Sequence, residues 1–442
     1  MSPTRRNFLT GAVAAAAAGA LGACGQRETA VPPQPQSTLM ENGDDWDDVR
    51  AQFSLSPDYI HMCALYVASH PKPVRDAIER YRHELDANPV AYLVRENRRR
   101  VNDALAAAAA YLGVPDQNDI ALTDSTTMGL GLVYNGLRLA AGEEILTTAQ
   151  DYYATHEALR LAALRKGIIV RQVPLYDDIA TVSAEQITER LVQAVSPKTR
   201  ALALTWVHSG TGLKLPVRRI ADAIAGINAS REERDHVLLC LDGVHGFGVE
   251  DATMADLGCD FFIAGCHKWL FGPRGTGLVW GSERGWQAVL ATVPSFLDDG
   301  TRIAWVAGTD VTGRTNGRRM SPGGFKPFEH QWALTEAFAM HQQIGKSRIA
   351  ARTHDLASQL KEGLTRMPRI ALRTPRAENL SAGIVCFEIE GMNPYAAVRR
   401  LRAQHIIATV TPYAARYVRL GPSMRNSPAE VDAVLRELRA LV

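Results

Sequence analysis

Two side chains of this sequence stand where an apolar run stops and chemistry can begin. Asp242 closes Val237-Leu238-Leu239-Cys240-Leu241, and Lys268 follows Phe261-Phe262-Ile263-Ala264-Gly265-Cys266-His267. A carboxylate at the end of a buried strand is costly unless something cationic meets it. An amine in apolar company has a lowered pKa and becomes nucleophilic. Read alone, Lys268 would be a surface lysine capping a loop; Asp242 earlier in the chain argues otherwise. A third place is Asp124-Ser125-Thr126-Thr127-Met128-Gly129, directly after Ile120–Thr123 and opening a helix. Hydroxyls and free N–H groups at a helix N-terminus form an anion site, although Ser, Thr and Asp are equally the ordinary helix caps. The segment has no lysine and is no Walker loop. The glycines after Asp242 fit a dinucleotide loop poorly, and Gly272-Pro273-Arg274-Gly275-Thr276-Gly277 reads as a tight turn beside the site.

The elements that must position these groups are legible as short apolar runs bounded by turn residues. They are Ile120–Thr123, Glu144–Thr147, Ile168–Val170, Ala201–Leu204, Val237–Leu241, Phe261–Ala264 and Gly277–Trp280. Several are apolar on consecutive positions, as strands covered on both faces are. Amphipathic helix-length segments, such as Thr155–Arg165 and Ser183–Ala194, lie between most of them. The alternation predicts an α/β fold with a large domain around a mainly parallel seven-stranded sheet. Ligands of such sheets sit beyond the carboxyl ends of the strands. A helical stretch from about His330 to Met367 then leads into Gly383–Ile389, another helix and a short terminal strand, a smaller C-terminal α+β domain. The expected division is 46–329 for the large domain with its N-terminal segment and 330–442 for the small one.

Anion site, strand-end aspartate and strand-end lysine, in that order, suit pyridoxal 5'-phosphate. That cofactor needs a phosphate cup, a carboxylate at its pyridine nitrogen and a lysine for its Schiff base. Here the sequence resembles the fold type I enzymes that use pyridoxal phosphate, and among them the class V aminotransferase family, over roughly residues 50 to 440. The resemblance rests on Asp242-Gly243-Val244-His245 and His267-Lys268-Trp269 at their separation. It implies that Lys268 binds the cofactor and then moves the Cα proton of the substrate. Asp242 would pair with the pyridinium nitrogen, and His245 would lie beside the ring's phenolic oxygen. Ser125, Thr126 and Thr127 would hold the phosphate, with His267 assisting. Tyr152 would stack on the ring face, its alternative being ordinary packing at a helix start. Ser209 matches a polar position near the ring. Arg419, in Val418-Arg419-Leu420-Gly421-Pro422, matches the arginine that grips the substrate carboxylate, a task suited to its forked donors. Related enzymes are homodimers in which a Gly-Thr of one chain reaches the partner's phosphate, and Gly308-Thr309 is the visible candidate.

Departures from the family pattern narrow the chemistry. A cysteine desulfurase needs a nucleophilic cysteine shortly before the carboxylate-binding arginine, and Ala403 to Arg419 contains none. Tyr59-Ile60-His61-Met62-Cys63-Ala64-Leu65-Tyr66 and the Gly324–Trp332 stretch look most like the isopenicillin N epimerase-like branch. The expected enzyme deprotonates an amino-acid substrate at Cα, as an epimerase, a lyase or a transaminase. Epimerisation would require an acid on the second face, for which Tyr152 and Tyr153 stand as candidates. The contrasting reading is a non-catalytic exported binding protein that keeps the fold.

The remaining features concern delivery and class. Among 442 residues, 46% are hydrophobic and 22% charged, the values of an ordinary globular chain rather than a fibrous or disordered one. The 49 Lys and Arg against 47 Asp and Glu give a net charge of +2, which suggests no nucleic-acid or anionic-membrane partner. Arg5-Arg6-Asn7-Phe8-Leu9 precedes a short alanine-rich run and resembles a twin-arginine export signal. Leu21-Gly22-Ala23-Cys24 looks like a lipobox with Cys24 as the lipid anchor, and residues 25–45 read as a tether. The alternative is an uncleaved alanine-rich tail. The expected location is therefore periplasmic, with the twin-arginine machinery as an export partner. Cys259, Cys266 and His267 lack a fourth ligand at zinc-site spacing, so no metal is expected.

Overall fold

The computed structural model describes residues 46–441. The twin-arginine motif, Cys24 and the tether lie outside the described residues. All seven expected runs pair into one sheet. In chain order the strands are β1 (Ile60–His61), β2 (Ile120–Thr123), β3 (Glu144–Thr148), β4 (Ile169–Val173), β5 (Thr199–Thr205), β6 (Leu238–Asp242), β7 (Phe261–Gly265) and β8 (Gly277–Gly281). The sheet runs β2-β8-β7-β6-β5-β3-β4, parallel throughout except that β8 is antiparallel to both neighbours.

Consecutive apolar residues in these strands serve two cores at once, because successive side chains point to opposite faces. Leu239, Leu241, Phe262 and Ala264 join one core, while Leu238, Cys240, Phe261 and Ile263 join the other. Pairing aligns Thr205 with Asp242 and Asp242 with Ile263, and it sets Gly277 between Thr123 and Gly265. The carboxyl ends of β2, β5, β6 and β7 therefore share one edge. A Cβ at Gly277 would stand 2.9 Å from Thr123 Oγ1 and 3.0 Å from the Ala264 carbonyl, so glycine is what lets β8 enter between its neighbours.

The C-terminal part holds β9 (Ile370–Leu372), β10 (Val385–Ile389), β11 (Ile406–Ile407), β12 (Thr409–Val410) and β13 (Val418–Leu420). An antiparallel sheet of order β12-β13-β10-β9 packs in a third core with the helix Pro428–Leu441. That helix follows the last strand, so the described chain ends on a helix and not on the expected strand. The expected single helical stretch is three helices, Phe328–Trp332, Leu334–Ile344 and Lys346–Thr365. The last break falls at Gly345, whose φ of +96° a glycine adopts without steric cost.

The N-terminal segment is tied to this C-terminal part. β1 pairs in parallel with β11, the Ile60 N–H donates to the His405 carbonyl, and the Gly421 N–H donates to Met62. Arg425 and Asn426 donate to the His61 carbonyl. A few residues on, the Ala68 N–H donates to the carbonyl of His267, so the same segment also touches the loop carrying Lys268.

Candidate active site

At the shared strand edge lies a cleft of about 200 Å³ lined by Ser125, Thr126, Thr127, Tyr152, Ser209, Asp242, His245, His267, Lys268 and Arg419. The structure thus brings together ten of the eleven expected site residues. Thr309, the exception, sits exposed after the helix Asp299–Ala307 and does not line the cleft of its own chain. Tyr153, beside Tyr152, is 68% exposed and lies outside the lining.

One end of the cleft is the start of the helix Thr126–Gly136. Ser125 caps it, its Oγ accepting the Met128 N–H at 3.1 Å. The first N–H groups of a helix have no partner within it, and here they face a cleft lined by hydroxyls. Thr126 Oγ1 accepts the Gly265 N–H at 2.8 Å, which fastens the helix start to the end of β7, three residues before Lys268. His267 lies close by; burial and the Lys268 ammonium keep its ring below the usual histidine range.

Asp242 and Lys268 form the floor. Burial raises the Asp242 carboxyl to about 6, against the lowering effect of the Val244 N–H and of Lys268, while Asp151 raises it further. Among the described residues its one hydrogen bond is from that N–H, at 3.1 Å. A buried strand-end carboxylate with room for a second partner fits a protonated ring nitrogen. Burial likewise lowers the Lys268 amine to about 8, with Asp242 pulling it up and Arg419 pushing it down. At pH 7 such an amine is about one-tenth in the free form, far more than an ordinary lysine offers, and the free form is the one that condenses with a carbonyl. His245, 5% exposed, places Nε2 3.3 Å from Lys268 Nζ. Helix start, unpaired carboxylate and depressed amine together fit the three requirements of pyridoxal phosphate.

The far wall comes from two other segments. Arg419, on β13, donates from Nε to Thr409 Oγ1 at 3.1 Å and from Nη1 to the Ser209 carbonyl at 2.9 Å. Among the described residues Nη2 has no partner, which leaves it for an anionic ligand. Ser209 Oγ is hydrogen-bonded to the Tyr413 hydroxyl at 2.8 Å, and the Tyr413 ring stands 5.9 Å from that of Tyr152.

Sequence reasoning missed three contributors. Tyr413 lies in a stretch informative only for its lack of cysteine. Trp269 belongs to a quoted motif, but its indole bond to His245, at 3.2 Å, has no sequence signal. Asp151 is buried and accepts from Thr147 Oγ1, the Thr148 N–H and the Thr205 N–H at 2.7–2.8 Å. It binds the ends of β3 and β5 together and so sets where Tyr152 begins its helix. It stands three residues past the end of β3, too far from the apolar run to give the cue that Asp242 gives.

None of the thiols among the described residues takes part in this lining. Burial pushes Cys63, Cys266 and Cys386 up to about 12 and raises Cys240 and Cys259 as well. Among the described residues no group of three or more His, Cys, Asp or Glu side chains is placed to hold a metal ion.

Comparison with known proteins places this arrangement in context. Residues 67–434 match the family described as aminotransferase class-V. The chain is 26% identical over 415 residues to isopenicillin N epimerase of Streptomyces clavuligerus, covering 90% of this chain and 98% of that protein. It is 26% identical over 382 residues to a probable cysteine desulfurase of Mycolicibacterium paratuberculosis, covering 82% of this chain and 51% of that one. Among solved structures, a C-DES variant with glycine covalently linked to its PLP cofactor superposes with a TM-score of 0.79 at 21% identity, over 88% of this chain and 98% of that one.

Proposed function

The chain belongs to the aminotransferase class-V family, and from that premise we propose that it is a pyridoxal-phosphate-dependent enzyme that removes the Cα proton of an amino-acid substrate. The observation carrying this reading is the convergence of Lys268, Asp242 and the Ser125–Thr127 helix start on one cleft. When bound, the cofactor supplies a carbonyl for amine condensation and an electron-withdrawing ring. Ser125, Thr126 and Thr127 hold its phosphate, and Asp242 keeps a proton on its ring nitrogen. Lys268 would hold it covalently, and its Nζ would take up the Cα proton of the substrate. Arg419 orients the substrate by its carboxylate, so that the Cα–H bond faces Lys268. Tyr152 would stack on the ring face, with the Tyr413 ring 5.9 Å behind it.

Return of a proton to Cα from the other side gives epimerisation, loss of a β-substituent gives elimination, and transfer of the amine gives transamination. The absence of a thiol from the lining, and the raised pKa of every described thiol, disfavour a route through an enzyme-bound persulfide. Tyr152 is the favoured second-face acid over Tyr153, because it alone of the two lines the cleft.

Delivery and assembly complete the reading. Arg5-Arg6 and Cys24 support export by the twin-arginine route and lipid anchoring in the periplasm, checked by cell fractionation of Arg5→Lys/Arg6→Lys and Cys24→Ala chains. Phe296, Ile303, Trp305, Val306 and Phe325, each more than 60% exposed, support a homodimer that covers them.

The test is incubation of the cofactor-loaded protein with a panel of amino acids in deuterated water. Deuterium at Cα is the expected result, and the products of any exchanging substrate then distinguish the three outcomes. A protein that binds the cofactor and exchanges nothing across a broad panel is the binding protein instead.

A further inference from the structure

The chemistry above uses Lys268 but gives no reason for His245 beside it or for the residue that meets His245 on the side away from the amine. Trp269 is 1% exposed, and its Nε1–H donates to His245 Nδ1 at 3.2 Å. The opposite nitrogen, His245 Nε2, lies 3.3 Å from Lys268 Nζ. An indole N–H is a donor and never an acceptor. His245 Nδ1 must therefore present its lone pair, and the neutral ring carries its proton on Nε2, toward the lysine.

That choice decides the sign of the effect of His245 on Lys268. An Nε2–H donor is satisfied by a free amine, which has a lone pair, and is opposed by an ammonium, which has none. The other tautomer would do the reverse: a bare Nε2 would accept from the ammonium and hold it protonated. A doubly protonated ring is disfavoured as well, since it would set N–H against the indole N–H in a buried site that also faces Lys268, Arg419 and His267.

The indole is fixed from its far edge. A Cβ at Gly383 would stand 2.9 Å from Trp269 Cη2, and one at Gly421 3.2 Å from it. Both positions lie in the C-terminal part, beside β10 and β13. The ring thus fills a gap that two glycines leave open, and this sets the direction of its N–H.

We propose that Trp269 is a positioning residue whose indole locks His245 as an Nε2–H donor, so that Lys268 is met by a donor and favoured as the free amine that takes up the cofactor. The inference rests on the reading of Lys268 as the cofactor-binding lysine. The other charges facing that amine are the Asp242 carboxylate, which favours the ammonium, and the Arg419 guanidinium, which opposes it, with His267 adjacent in the chain. Trp269 acts through His245 alone.

The experiment follows loading of apoprotein with pyridoxal phosphate against pH by absorbance, beside ¹⁵N-histidine NMR of the apoprotein. Trp269→Phe keeps an aromatic ring and removes the donor. Its loading midpoint is expected to rise by about half a unit to one unit, which slows loading roughly three- to tenfold at pH 7. Trp269→Phe in a His245→Leu background is expected to shift nothing, because an aliphatic side chain has no donor or acceptor for the indole to orient. The wild-type ¹⁵N spectrum should show His245 protonated on Nε2, and Trp269→Phe should lose that preference. An unchanged midpoint, a shift that persists in the His245→Leu background, or a wild-type His245 protonated on Nδ1 overturns the proposal. Where Trp269→Phe does not fold, the wild-type tautomer decides. A wild type that takes up no cofactor overturns the functional reading, and the tautomer then judges this inference separately.

Discussion

The floor and the far wall of the cleft are built in opposite ways. The floor residues, Thr126, Asp242, His245, His267 and Lys268, sit at or just past the ends of the seven-stranded sheet. Backbone donors and burial fix their state: a lone N–H on the Asp242 carboxylate, burial among Asp242, His245 and Arg419 for Lys268. The wall residues, Ser209, Tyr413 and Arg419, come from loops and from strands of two or three residues, and they fasten one another by side-chain hydrogen bonds. The floor contains groups whose charge depends on their surroundings, as proton transfer requires. The wall relies on a guanidinium whose charge never changes, as recognition requires. One region sets pKa values; the other sets shape.

The largest effect should follow removal of the floor amine. Lys268→Ala is expected to abolish the visible absorption of the loaded protein and to lower Cα exchange by about 10²–10⁴-fold from the lost proton transfer alone. A coloured, active Lys268→Ala protein would collapse the distinction between the regions. At the wall, Arg419→Gln should leave the absorption intact and cost roughly 10- to 150-fold in kcat/KM, the value of hydrogen bonds to a charged group. A split in which KM rises more than kcat falls would sharpen the assignment to recognition.

Packing should separate the regions next. A Cβ at Gly243 would stand 2.1 Å from the Phe262 ring, inside the core beneath the floor. Gly243→Ala should therefore lose about 1–3 kcal/mol in denaturant unfolding. A Cβ at Gly210 would stand 3.1 Å from the Tyr413 ring at the wall, where the ring has only to give by tenths of an ångström. Gly210→Ala should cost less stability and more substrate affinity.

The smallest effects concern pH. Wild-type apoprotein should load cofactor more slowly as the pH falls through about 8, because Lys268 then gains its proton. Asp242 favours that proton, so Asp242→Asn should move the midpoint down. Arg419 disfavours it, so Arg419→Gln should move the midpoint up. Opposite shifts, read by stopped-flow absorbance, would show that the wall touches the floor electrostatically; equal shifts would deny it.

The floor was legible because a sheet covered on both faces writes its strands as unbroken apolar runs, and a charged residue at the end of such a run stands out. Asp242 and Lys268 are visible for that reason. The wall was mostly hidden: Thr409–Val410 and Val418–Leu420 are too short to show a period, and the partners of Ser209 lie about two hundred positions away. Arg419 was reached only through likeness to a family. The terminal helix had a readable signal in Pro428 at its start and in Val431, Val434, Leu435 and Leu438 on one face.

The tie between the N-terminal segment and β11 carries a consequence in time. Cys63 and Ile407, joined by a hydrogen bond, are 344 positions apart. At a synthesis rate of about 5–20 residues per second, the first partner waits roughly 17–70 seconds for the second. The Lys268 loop, which takes a hydrogen bond from Ala68, and the Arg419 strand, which Met62 flanks, are both made after the segment that touches them. A nascent chain has no complete cleft until Arg419 has been made, so the cofactor cannot meet its full site before then.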